Sequence, residues 1–268
     1  MKLRRGLLRD YGDWYGHPYW LTYLCTRLTS YPTRFAVRGK NMSHPVTLRT
    51  GTTDLAMFNS VFTTPQYDVP LSRQPGFILD CGGNVGFAAI WFANTYPDAR
   101  IVCVEPEAEN YGLLLRNIAP YPNIVPIHGA VWREDTILQV IDVGLGHCGF
   151  ETQSLHTPTE NRHGTTPAYS IPTLMLQFSV EDIDFLKVDI EGAEGELLET
   201  IPPWLSRVHV LAVEFHDDKH PGLRGRFDLQ VARFFSHTAR CGENILYASP
   251  GWAGLTAAKS PWQPLTPA

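Results

Sequence analysis

Between residues 76 and 215 the chain alternates short, almost wholly apolar runs with longer amphipathic stretches, the order that yields parallel βαβ units. "GFILD" (76–80) predicts a buried strand, "VGFAAIWFANTY" (85–96) a helix, and "ARIVCVEP" (99–106) a second strand stopped by Pro106. "EAENYGLLLRNI" (107–118) opens on acidic side chains, which suit a helix N-terminus. "NIVPIHGAVW" (123–132) predicts a third strand, and "TILQVIDV" (136–143) alternates like one arm of a hairpin. The rhythm fails over residues 144–170, where Gly144, Gly146, Gly149, Pro158, Gly164 and Pro167 among Thr, His and Asn predict a long loop or a loose hairpin. It returns with "IDFLKVDIEGAEGELLETI" (183–201), a strand feeding an acidic helix over Glu191 to Thr200. "RVHVLAVEFH" (207–216) reads as a strand buried on both faces. "RFDLQVARFFSHTARC" (226–241) predicts a helix and "ENILYA" (243–248) a late strand. Residues 1–70 read as a helical lead-in over one end of the sheet, 71–268 as the main domain, and the tail from Ser249 as a surface-hugging coil.

Composition narrows the function classes. The 268 residues are 44% hydrophobic and 18% charged, enough for one large core. The net charge of -5 is spread along the chain without a basic run that could neutralise a row of phosphates, so no nucleic-acid partner is expected. The basic N-terminus "MKLRRGLLRD" reads as a solvated helix, and no apolar stretch reaches the roughly 20 residues that span a bilayer. No membrane partner and a cytoplasmic location follow as expectations. Cys25, Cys81, Cys103, Cys148 and Cys241 form no CxxC pair, which fits reduced thiols, and the histidines show no zinc spacing. The aromatics Trp14, Tyr15, Tyr19 and Trp20 suit core packing or a homodimer contact, with stacking on a sugar or macrocycle as the alternative.

The chemistry concentrates where the first strand ends. Asp80-Cys81-Gly82-Gly83-Asn84-Val85-Gly86 reads DxGxxxG, whose glycines stand at the wrong offsets for the pyrophosphate turn GxGxxG and so count against NAD and FAD. Bare backbone at Gly82, Gly83 and Gly86 admits close approach of a ligand, and Asp80 offers a carboxylate to an ammonium group. S-adenosylmethionine (SAM) carries such an amino-acid portion and no pyrophosphate. Glu105, ending the second strand, suits both hydroxyls of a ribose, although any nucleoside would satisfy it. Gly129-Ala130, after the third strand, leaves room for an adenine ring beside His128, or is an ordinary strand exit. A tight connection with no ligand is the plain alternative for the whole turn.

Four blocks in this order, "LDCGGNVGFAAIWFA", "IVCVEPEAENYGLLLRNI", "FLKVDIEGAEGELLE" and "AVEFH", preceded by "RTGTTDLAMFNSVF" (49–62), resemble the FkbM family of SAM-dependent methyltransferases. The similarity spans roughly residues 48 to 216, and "VDIEGAE" is its most specific piece. Cys81 and Gly83 stand where the family usually shows Ile and Ala. The resemblance implies an α/β class I methyltransferase (Rossmann-like) fold, a seven-stranded, mostly parallel sheet in order 3-2-1-4-5-7-6 with helices on both faces. It also implies O-methylation of a hydroxyl, less often a carboxylate, on a natural product, sugar or glycan, with SAM as donor and S-adenosylhomocysteine as product.

Methyl transfer from a sulfonium is an in-line displacement that needs an aligned acceptor oxygen and a base for its proton. Asp189 ends the fourth strand and Glu214 and His216 end the fifth, so these three are the expected catalytic set. His216 is expected as the base, because an ordinary imidazole is largely neutral at pH 7. Asp189 orients the hydroxyl, acts as base itself, or simply caps the following helix; Glu214 fixes the His216 tautomer. Glu191 and Glu194 read as first-turn acids that serve the helix dipole. The trio could also hold a divalent cation, but Mg²⁺ favours carboxylates and water over imidazole, so no metal is expected. Asp54 and Tyr67 are candidates to touch SAM or the acceptor, Thr53 to cap the helix "DLAMFNSVF", and His147, His156, His163 and His220 read as plain loop histidines. Two rival readings stay open: a nucleotide-dependent oxidoreductase, and a pseudo-methyltransferase that binds SAM or a partner without turnover.

Overall fold

A computed structural model describes residues 34–39, 41–64, 66–144, 149–159, 161–256 and 260–265. In chain order these form β1 (Arg34–Val37), β2 (Val46–Arg49), α1 (Asp54–Phe62), β3 (Phe77–Cys81), α2 (Phe87–Thr95), β4 (Arg100–Glu105), α3 (Ala108–Ile118) and β5 (Ile124–His128). Then come β6 (Ala130–Val131), β7 (Thr136–Asp142), β8 (Phe150–Ser154), β9 (Arg162–Tyr169), α4 (Ile171–Gln177), β10 (Ile183–Val188) and α5 (Glu194–Leu198). A short 3₁₀ turn, β11 (Val208–Glu214), α6 (Leu223–Val231), β12 (His237–Cys241), β13 (Asn244–Ala248) and β14 (Gln263–Pro264) complete the chain.

The main sheet has the order β14-β12-β13-β11-β10-β3-β4-β5. From β5 to β11 neighbouring strands run parallel, and β13 enters antiparallel between β11 and β12. Apart from the two-residue edge strand β14, this is 3-2-1-4-5-7-6, the class I methyltransferase order. Burial explains the elements: all five residues of β3 and of β13 are buried, as continuous apolar strands covered on both faces require. One face packs on α1 and α2 through Phe58, Phe87, Phe92 and Ile90, the other on α4, α5 and α6 through Leu174, Leu197, Phe227 and Val231. The parallel strands therefore end together on one edge, where ligands of such sheets lie.

Three elements differ from the sequence expectation. Of the long loop or loose hairpin expected over 144–170, the described residues show hairpin pairing in regular form: β8 and β9 flank β7 in an antiparallel sheet that β6 joins, in the order β6-β9-β7-β8. Only small side chains point inward along β9, with Thr166 and Ala168 buried and Thr165 and Pro167 exposed, so the strand's alternation carries almost no hydropathy signal. The expected helix over 226–241 stops at Val231, because "HTARC" pairs with β13 across a turn at Gly242 (φ +63°). The tail is anchored, with Trp252 and Trp262 buried in the core. Of the helical lead-in, the described part contains the β1-β2 pair and α1; residues 1–33, including Trp14, Tyr15, Tyr19 and Trp20, lie outside the described residues.

Candidate active site

The turn after β3 needs its glycines for packing as well as for backbone freedom. Gly82 and Gly86 have φ of +88° and +92°, and Asn84 shares the left-handed region at +47°. A methyl group on Gly82 would overlap the Asp189 carbonyl, and one on Gly83 the Cys103 sulfur. The Gly82 and Gly83 N–H groups donate to the Val104 carbonyl at 3.1 and 2.8 Å, which folds the turn back over β4. Asn84 N–H donates to Glu105 Oε2 at 2.7 Å, and Glu107 N–H donates to Oε1 at 2.9 Å. Burial pushes the Glu105 carboxyl up to about 7, against the pull of those two N–H bonds.

Two cavities meet over this turn. The larger, a partly open cleft spanning about 600 Å³, is lined by Gly82, Asn84, Glu105, Ala130, Asp189 and Glu191. Phe150 and Thr152 of β8 form its far wall, so the inserted sheet closes one side of the cleft. The second, about 420 Å³, shares Met57, Gly82, Asn84 and Asp189 with the first and continues to Gly83, Tyr67, Lys187, Glu214 and Glu243. Asp189 thus stands where the two spaces join. Gly86 lines neither; it turns the chain into α2.

Asp80 departs from its expected place. Its side chain is 0% exposed, and Lys187 Nζ, on the neighbouring strand, lies 3.1 Å from Oδ1, with the Cys103 thiol 3.4 Å from Oδ2. Burial pushes the Asp80 carboxyl up and opposes the Lys187 ammonium, but Asp80 and Asp189 together raise the lysine well above its ordinary range. The carboxylate expected to meet a ligand's ammonium is already filled by a lysine. Lys187 also donates to the Gly82 carbonyl at 2.9 Å, so the pair braces the glycine turn from below.

Asp189, Glu214 and His216 bring one donor atom each within 4.8 Å of one another. Asp189 does not cap α5, whose N-cap residue is Ala193; it lies 3.4 Å from Lys187 Nζ. Glu214 faces the second cavity, where burial and the charges of Asp189 and Glu243 push its carboxyl up to about 8. His216 lines neither cavity, and its surroundings favour the charged imidazole. Burial alone would lower its pKa, but the bond to Glu194 (Nδ1 to Oε2, 3.1 Å) and the charges of Glu194, Glu191 and Asp189 raise it to about 9. Nε2 faces Glu191 Oε2 at 3.6 Å, so the imidazole is held between two carboxylates.

Sequence reasoning undervalued Glu191 and Glu194. Glu194 is 0% exposed, and its Oε1 accepts the Ile190 and Gly192 N–H groups at 3.0 and 3.3 Å. Two signals pointed to this loop: Gly192 directly after Glu191, and Gly195 one turn later, where His220 packs against the backbone.

The Methyltransferase FkbM domain matches residues 80–242, more than half of the chain, and the match contains Asp80, Glu105, Asp189, Glu191, Glu214 and His216, while Met57, Tyr67 and Glu243 lie outside it. The chain belongs to the FkbM methyltransferase family. It is 33% identical over 63 residues to methyltransferase sdnD of Sordaria araneosa, covering 24% of each chain. It is 23% identical over 164 residues to methyltransferase 1 of Beauveria bassiana, covering 52% of this chain and 63% of that one. Both alignments leave more than a third of the relative's length unmatched. Among solved structures it resembles the FkbM methyltransferase of Methylobacillus flagellatus KT, with 17% identity, TM-score 0.45, and coverage of 65% of this chain and 44% of that one. The O-methyltransferase TomG of Streptomyces achromogenes, solved in complex with SAM, aligns over 68% of this chain and 74% of its own, with 14% identity and TM-score 0.38.

The remaining candidates of this FkbM chain sort by their contacts. Asp54 is buried and bound by Arg49 through the backbone N–H, Nε and Nη2 (2.7, 3.0 and 2.8 Å), so it clamps β2 to α1 instead of facing a ligand. Thr53 occupies the N-cap position without a side-chain capping bond, whereas Tyr67 lines the second cavity. His128 stacks on Tyr111 at 4.6 Å, two residues before Ala130, which lines the larger cavity. His163 meets Glu107 at 3.2 Å, His220 meets the Gly192 carbonyl at 2.7 Å, His156 is exposed, and His147 lies outside the described residues.

Proposed function

We propose that this chain is a SAM-dependent O-methyltransferase whose donor occupies the larger cavity and whose acceptor, a hydroxyl of a small natural product, sugar or glycan, enters through the second. The observation that carries this reading is the bare turn Gly82-Asn84 opening on the 600 Å³ cleft with the Glu105 carboxylate at its side. Glu105 keeps lone pairs for ribose hydroxyls after accepting its two backbone N–H groups. Ala130 leaves width for a purine, and Phe150 offers an aromatic wall. Gly82 and Gly83 bring bare backbone to the amino-acid end.

SAM supplies an electrophilic methyl group on a sulfonium; the protein's part is to align the acceptor, exclude water and receive a proton. Asp189, at the junction of the cavities and neutralised on one side by Lys187, is placed to hold the acceptor hydroxyl in line. Glu214 and Tyr67 wall the acceptor's side. His216, as an imidazolium, positions the carboxylates around it and does not take the proton itself. Free thiols at Cys81, Cys103 and Cys241 and the absence, among the described residues, of a helix long and apolar enough to cross a membrane accord with a cytoplasmic setting.

Calorimetry with SAM, followed by S-adenosylhomocysteine release over a methyl glucoside, inositol and a phenol, tests the reading. Binding with turnover on any of them supports it. Binding with no turnover favours the non-catalytic alternative, and NADH binding with no response to SAM favours the oxidoreductase.

A further inference from the structure

His216 lines neither cavity, so the proton released by the acceptor needs another destination, and the loop after β10 supplies one. We infer that Glu191 is the catalytic residue that takes the acceptor's proton, an assignment that rests on the methyl-transfer reading above. Its side chain lines the larger cavity two residues beyond Asp189. Its backbone lies in the left-handed region at φ +54°, unusual for a residue with a Cβ, and strain of this kind persists where the surroundings enforce it.

Three side chains enforce it here. Lys219 Nζ donates to the Glu191 carbonyl at 2.9 Å, and Glu194 Oε1 receives the N–H groups on either side, from Ile190 and Gly192. His216, itself anchored on Glu194, places Nε2 at 3.6 Å from Glu191 Oε2. The carboxylate is thereby aimed by groups that do not themselves face the cleft.

The alternatives at the junction and in the second cavity are engaged otherwise. Asp189 already meets the Lys187 ammonium, which suits it to orient a hydroxyl. Glu214 and Glu243 crowd one another's charge in the second cavity. Glu191 has the affinity the task needs: burial and the charges of Asp189 and Glu194 push its carboxyl up, His216 and Lys219 restrain it, and the balance is about 7, close to the operating pH that favours general-base catalysis. Glu151, from β8, faces this group only through Lys219, which it meets at 2.9 Å.

The step balances. The hydroxyl oxygen forms a bond to the methyl carbon as the carbon–sulfur bond breaks with its electron pair passing to sulfur, giving the neutral thioether. The hydroxyl proton moves to Glu191, whose 30% exposed side chain then releases it to water.

The test uses the full-length chain with the hydroxylated acceptor giving most S-adenosylhomocysteine. Glu191→Gln should lower kcat by about 10²- to 10⁴-fold while SAM affinity stays within about threefold, and the rise of rate with pH centred near 7 should disappear. Glu191→Asp should restore part of the rate together with that rise. Glu191→Asn, a residue that tolerates positive φ, repeats the test if the glutamine variant folds poorly. A kcat within threefold of wild type, or an unchanged pH profile, overturns the assignment while leaving the methyltransferase reading intact. A wild-type chain that neither binds SAM nor turns over defeats both.

Discussion

Lys187 Nζ lies 3.1 Å from Asp80 Oδ1 on the adjacent strand, in a pair of side chains only 2% and 0% exposed. The pairing follows from register, since Lys187 stands opposite Asp80 in the parallel β10-β3 ladder. Its location directly beneath the glycine turn makes a strand–strand ion pair part of the platform under the proposed donor site. Removing one partner strands a buried charge: Lys187→Met should cost about 3–5 kcal/mol of stability, and the double variant Asp80→Asn/Lys187→Met should recover much of it. Urea unfolding of the wild type and the two variants checks this; a double variant no better than the single one contradicts it.

Gly83 and Cys103 form a second coupled pair. An alanine methyl at position 83 would overlap Cys103 Sγ and press on Leu114. Gly83→Ala alone should therefore destabilise by roughly 1–3 kcal/mol, and Cys103→Ala in the same chain should relieve most of that cost. The family's usual alanine here thus requires a smaller neighbour than this chain has. Thermal unfolding of the double-mutant cycle reads the coupling, and additive effects would refute it.

Much of this was legible in the chain. The parallel strands stood out because burial on both faces leaves continuous apolar runs such as those at 77–81 and 208–213, and the turn stood out by its glycines. Other features carried no such mark. Lys187 reads as an ordinary strand residue until β3 lies beside it, and an acid in the first turn of a helix has a sufficient local explanation, which hid Glu194. The inserted sheet turns Thr166 and Ala168 inward where a hydropathy pattern looks for Val or Ile. His216 was found, but the two carboxylates that favour its charged form, one in the turn after β10 and one opening α5, were not read as its partners.

Those charges give the fold a pH signature. His216 moves from an ordinary 6.5 to about 9, Glu214 from 4.5 to about 8, and Glu105 and Glu191 from 4.5 to about 7. In each case the folded state binds its proton more tightly than the unfolded chain, so the contribution is complete below the unfolded pKa and is lost as pH rises through the folded one. Stability should fall from about pH 5 to pH 9, and the part lost between 6.5 and 9 should shrink in His216→Gln. Unfolding midpoints measured across this range decide it; a flat or rising curve contradicts the ion-pair assignment.

Lys219 ties the inserted sheet to the loop after β10, with Nζ 2.9 Å from both Glu151 Oε1 and the Glu191 carbonyl. Lys219→Met should loosen the β8 wall formed by Phe150 and Thr152 and weaken SAM binding by about 3- to 10-fold, an effect of order 1 kcal/mol. Glu151→Gln should weaken it less, since the tie to Glu191 survives. Calorimetric affinities rank the variants, and unchanged binding in both would mean that the inserted sheet does not shape the donor site.

The central claim is that the cleft between Gly82, Glu105 and Ala130 holds the methyl donor with its reactive end toward Asp189 and Glu191. A crystal structure with S-adenosylhomocysteine tests it most directly. The account predicts ribose hydroxyls within hydrogen-bond reach of Glu105, the purine beside Ala130 and the sulfur at the junction of the two cavities. A nucleoside bound outside this cleft, or a sulfur facing away from Asp189 and Glu191, would contradict it.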